Sequence, residues 1–146
     1  MATTIKDVSD LIKTKIQGLK DGSNNTIFQN VYDTAIGDIT TYPVAVLLPK
    51  EWDGKILSTK QNDRHFKFEV SMYQENTPAG RTAQQARDVM VTAIDSFIEA
   101  FDQDKNLNFG VDYIKVTKGN FDFKAPNGPW VFAVFEVDCE VVVKNY

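Results

Sequence analysis

Three carboxylates at alternate positions, Glu136, Asp138 and Glu140, come closest in this chain to a set of residues with chemical potential. Side chains alternate across an extended strand, so a period of two puts all three on one face. There they are near enough to share a hard cation or to divide acid and base work. The same spacing also describes a solvated or interface-lining acidic face, and that reading is preferred because no motif supplies further ligands. Asp95 and Glu99, one helical turn apart, are set aside as metal ligands for the same reason. His65, the single histidine, has no serine, cysteine or carboxylate constellation to work with and receives no catalytic role. The single cysteine, Cys139, excludes an intramolecular disulfide and a cysteine-rich zinc site. Its apolar neighbours mark it as a buried small hydrophobe rather than a nucleophile. There is no phosphate loop, dinucleotide glycine fingerprint, His-Glu-x-x-His or G-x-S-x-G. The expectation is a protein with no catalytic residue, no cofactor and no metal.

The acidic triplet occupies the second half of a long stretch, residues 130–144. One alternating set there, Val131, Ala133, Phe135, Val137, Cys139, Val141 and Val143, is apolar throughout; the other begins apolar and turns acidic at Glu136. This predicts a strand with one fully buried face, reaching about 45–50 Å if unbroken, longer than most strands. Ahead of it, Ile5, Val8, Ile12, Ile16 and Leu19 predict a first amphipathic helix, with Thr4 and Asp7 as a capping box and Gly22 as its stop. Residues 22–25 read as a turn and residues 27–32 as a short strand. Residues 42–49, apolar and bounded by Pro43 and Pro49, predict a strand covered on both faces.

Residues 50–64 are polar and aperiodic and read as a long loop of the kind that is functional or disordered. Residues 65–74 alternate, with Phe66, Phe68, Val70 and Met72 inward. A second helix opens at Thr77-Pro78, or at Thr82 with Gln85 as a capping box. It carries Ala86, Met90, Ile94, Phe97 and Phe101 on one stripe, with Arg87, Asp95 and Glu99 on its polar side. Residues 106–110 break that helix, residues 111–118 form another strand, and residues 119–129 are a turn-rich link. The whole is one domain, residues 1–146, of the α+β class. It is a mainly antiparallel sheet of about five strands with two helices packed on one face.

Net charge is −4, with eight positive and eight negative side chains in residues 1–64 against eight and twelve in residues 65–146. No basic stripe is present, which argues against gripping nucleic acid through its phosphates. No apolar signal-peptide core and no run of transmembrane length appear, so a soluble, reducing setting is expected.

Several pieces in order resemble the tail terminator (tail-to-head joining) proteins of long-tailed bacteriophages. They are the opening helix running into Ile27-Phe28-Gln29-Asn30-Val31-Tyr32-Asp33, the Tyr42-Pro43-Val44-Ala45-Val46 run, and Asn62-Asp63-Arg64 leading into Phe66-Lys67-Phe68-Glu69-Val70-Ser71-Met72-Tyr73. The helix with Arg87-Asp88 and Asp95, and the closing acidic-apolar strand, complete the likeness. The resemblance implies a non-enzymatic virion assembly protein that forms a homo-oligomeric ring, expected as a hexamer. Such a ring caps the tail tube protein and meets the head-side connector protein. Its place would be the neck end of the tail in the virion, and the host cytoplasm during assembly. DNA would pass through without specific binding, past acidic walls that do not trap phosphates; no membrane is involved.

On length and exposure inferred from pattern, the candidate ring and tube contacts are Trp52, Asp53, Arg64, Arg87, Asp95, Glu136, Asp138 and Glu140. Residues 50–64 are expected to order only against a neighbour, with Trp52 as the buried anchor. The alternatives are another neck or tail-completion protein, a binding domain anchored on Trp52, or a small divalent-cation-dependent enzyme using Glu136, Asp138 and Glu140.

Overall fold

The computed structural model describes residues 2–28, 30–33, 43–75, 83–123 and 130–144. The first helix, α1 (Ile5–Gln17), starts where Thr4 Oγ1 accepts the Asp7 N–H at 3.1 Å, and it buries Val8, Ile12 and Ile16. It ends at Gly18, four residues before the expected stop. Gly22 belongs instead to a turn in which Asp21 Oδ1 accepts the N–H groups of Ser23 and Asn25, each at 2.9 Å.

Five strands form one sheet in the order β1-β2-β3-β5-β4. Their bounds are β1 (Asn30–Tyr32), β2 (Val44–Ser58), β3 (Gln61–Glu75), β4 (Tyr113–Asp122) and β5 (Trp130–Lys144). Only the β1–β2 pair is parallel. The second helix, α2 (Ala83–Gln103), lies between β3 and β4 in the chain. The architecture is α+β, as the patterning predicts. The proposed helix starts at Thr77-Pro78 and Thr82 lie outside the described residues.

Register explains which side chains are buried. Val70 faces Leu47 on one side and Phe135 on the other, and Phe68 faces Val137. These positions share the inner face, where α1 and α2 complete one core cluster with them. Phe135 is its hub, with ring centroids 5.1 Å from Phe97 and 5.7 Å from Phe121. Gly119 is paired with Phe135 across β4 and β5, and the aromatic ring covers the space a side chain would need. Val44 and Val46 point to the opposite face and are buried as well, so both faces of that run are covered.

Residues 50–64 are not a loop. β2 continues through them and turns at Thr59-Lys60 into β3, which begins at Gln61 rather than His65. A register shift between Pro49 and Glu51 accommodates the proline, which has no N–H to donate. β1 pairs only with Val44 to Val46, so Pro49 lies where β2 has become an edge strand. The shift also reverses the phase of the alternation. Glu51, Asp53 and Lys55 then face one way and Trp52, Gly54 and Ile56 the other, paired with Phe66, Arg64 and Asn62. β4 likewise outruns its expected end by four residues, to Asp122.

After α2 the chain reverses through Leu107, Asn108 and Phe109, all with positive φ (48°, 55° and 67°). Side chains rather than glycine hold this unfavourable stretch. Asp104 Oδ1 accepts the Asn108 N–H at 2.9 Å and Asn106 Oδ1 accepts the Phe109 N–H at 3.2 Å. The second oxygen of Asp104 meets Lys15 of α1 at 3.0 Å, tying the turn to the first helix.

Candidate functional site

Two features stand apart from the core: the outer sheet face and the far end of the β2–β3 hairpin. On the outer face, Glu136, Asp138 and Glu140 do lie along one side of β5, each half-buried, alternating with buried Phe135, Val137 and Cys139. They do not converge on a common point. Glu136 is held by Lys50 at 2.8 Å and lies 3.7 Å from Lys67. Asp138 is flanked in register by Lys67 on β3 and Lys115 on β4. Glu140 reaches His65 at 3.3 Å. Residues two apart on a strand are separated by about 6.5–7 Å along the chain, so neighbouring strands place a different basic group beside each carboxylate. The hydrogen bond from Lys50 holds the Glu136 carboxyl below the usual carboxylate range, assisted by the charges of Lys50, Lys67 and Lys118 and opposed by partial desolvation. The three carboxylates thus form the acidic strand face that the spacing was preferred to mean, with basic side chains of neighbouring strands set beside it.

His65 corrects the sequence reading, which left it without acidic company. Its Nε2 lies 2.9 Å from Asp63 Oδ2 and 3.3 Å from Glu140. Asp63 is two residues away on the same face of β3, and Glu140 is the cross-strand partner of His65 on β5. The Asp63-x-His65 spacing was visible in the sequence; Glu140 was not, because it is brought in only by register. A cavity of about 220 Å³ adjoins this group, lined by Glu51, Asp53, His65, Lys67 and Asp138.

The hairpin presents apolar side chains to solvent. Ile56 is 78% exposed, Trp52 58% and Leu57 47%. Trp52 lies along its own strand, with its ring over Gly54, where an added Cβ would come within 2.7 Å of it. It is therefore neither a core residue nor part of an irregular segment.

The eight expected contact residues fall on separate surfaces. Trp52 is on the hairpin's helix-side face. Asp53 opposes His65, and with Glu136, Asp138 and Glu140 belongs to the outer face. Arg87 and Asp95 are exposed on α2, across the sheet from those carboxylates. Arg64 is part-buried and donates to the Thr3 carbonyl at 2.9 Å, so its role in the subunit is to fasten the N-terminal segment to β3. Cys139 is buried, and desolvation first, with the nearby carboxylates, pushes its thiol up to about 12, which disarms it as a nucleophile. Asp95 and Glu99 are not joined by further ligands among the described residues. No described helix is long and apolar enough to cross a membrane.

No protein-family model matches this chain, and no curated protein matches it.

Proposed function

We propose that this chain is a non-enzymatic virion assembly protein, a tail terminator. Its subunits close into a ring, expected to be a hexamer, that caps the tail tube and joins it to the head-side connector. The observation that carries the reading is the β2–β3 hairpin, which holds Trp52, Ile56 and Leu57 exposed on the β2 edge of an extension that β5 backs along β3. Solvated apolar groups on an ordered arm suit insertion against a neighbouring subunit or the tube. A head-to-tail contact of that kind closes into a ring when its rotation permits. The order of sequence pieces shared with tail terminators supports the same reading. The mixed-charge outer face, with Glu136 and Glu140 engaged by basic neighbours, suits a surface that DNA passes without being held.

An enzyme built on Glu136, Asp138 and Glu140 has less support, since Glu136 and Glu140 are engaged by different basic neighbours, Lys50 and His65. The test is to mix purified protein with uncapped tail tubes and image the ends by electron microscopy. The reading expects a ring-shaped density on one end of the tube. Attachment only to the head-side connector would make the chain a neck protein instead, and attachment to neither would overturn the proposal.

A further inference from the structure

We infer that Asp63, His65 and Glu140 form a binding site for a divalent first-row transition ion, with zinc the best fit to the ligand types. One ligand atom from each residue lies within 4.8 Å of the other two. The ligands of a tetrahedral zinc ion, at bond lengths of about 2.0–2.2 Å, are themselves about 3.3–3.5 Å apart. The His65–Asp63 and His65–Glu140 separations of 2.9 and 3.3 Å are close to that spacing. One imidazole with two carboxylates is a donor set suited to zinc and its neighbours rather than to calcium or magnesium, which take oxygen alone.

A second observation points independently to a cation. Asp63 is only 8% exposed, and its Oδ1 is buried with no hydrogen-bond partner. A carboxylate oxygen withdrawn from water without a donor is costly, and a cation held by both oxygens of Asp63, of which Oδ2 is the one beside His65, removes that cost. The supports are rigid. Asp63 and His65 lie on β3, which is paired along its length with β2 and β5, and Glu140 is fixed opposite His65 by the β3–β5 register. The adjoining cavity of about 220 Å³ gives room for water or an exogenous ligand to complete the coordination. The competing arrangement is His65 placed between the two carboxylates with no ion. Neither arrangement depends on whether the chain forms a ring.

The experiment is thermal unfolding of the full chain across a zinc chloride series, with cobalt(II) absorption spectra as a second readout. The site predicts a melting temperature that climbs with zinc concentration, and visible cobalt bands. His65→Gln should abolish the shift and the bands, and Asp63→Asn or Glu140→Gln should each weaken binding at least about tenfold. The His65 side chain is 43% exposed, so its replacement is expected to fold. Should it not, Glu140→Gln carries the test alone. A melting temperature unmoved by zinc, a shift that survives the variants, or an equal response to magnesium would overturn the inference.

Discussion

Replacing Ile56 by Ser at the end of the hairpin should separate assembly from folding. Fully burying an isoleucine side chain is worth about 1.5–3 kcal/mol. Ile56 is 78% exposed in the subunit. With about a fifth of it covered, the substitution removes only about 0.3–0.7 kcal/mol of folding stability. If a neighbouring subunit covers the rest, the same change costs each contact about 1.2–2.3 kcal/mol, a weakening of about 7-fold to 50-fold. Urea unfolding of dilute protein reads the first quantity, and sedimentation velocity across a concentration series reads the second. Trp52→Ala is the companion variant. Its ring already rests on Gly54, so it should cost the subunit about 1–2 kcal/mol, as a partly buried aromatic, and the contact about 2 kcal/mol. A loss of folding stability above about 2 kcal/mol for Ile56→Ser would place the tip in the core. Unchanged association would show that the arm is not the contact.

Gly119→Ala should destabilise the fold by about 1–3 kcal/mol in urea unfolding, because the new Cβ would lie 2.7 Å from Phe135 Cε1 and 2.9 Å from Cδ1. Asp104→Ala should cost about 1–2 kcal/mol by removing the acceptor that steadies the positive-φ run. The Asn108 N–H, with help from Lys15 and against some desolvation, holds the Asp104 carboxyl below its ordinary value of 3.8. Its contribution is therefore present above that pH and lost as pH falls through the depressed folded value, so the variant should flatten the acid limb of a stability–pH profile. Cys139 behaves in the opposite sense. Its folded thiol is raised from 9.0 to about 12, so its contribution is complete below pH 9.0 and is lost as pH climbs toward about 12. Cys139→Ala should flatten that alkaline limb, and a thiol reagent should label the native protein only as fast as it unfolds.

The elements with one dry face and one wet face were legible in the sequence. β5 and the upper half of β3 alternate because each covers the core on one side only, and the stripes of α1 and α2 repeat at helical spacing for the same reason. The hairpin was hidden by three local features. Pro49 looks like a strand end, the register shift after it reverses the phase, and Gly54 removes one apolar marker between Trp52 and Ile56. From Pro49 onward neither face of β2 is buried, so nothing there selects the apolar residues on which periodicity depends. The Asp63–His65–Glu140 group was out of reach for another reason. Its first two members advertise themselves by spacing, but the third is a long way along the chain and depends on the β3–β5 register. That register also pairs Glu136 with Glu69, which leaves Lys50 and Lys67 to relieve the like charges. The acidic triplet looked chemical in the sequence because its basic partners belong to other strands.

Whether copies of this chain close on one another can be read from mass measured across a concentration series. A monomer of 16.5 kDa at low concentration should give way to one closed species of about six subunits, with ring-shaped particles in micrographs of the same sample. A monomer at every concentration, or an open-ended series of ever larger polymers, would contradict that closure.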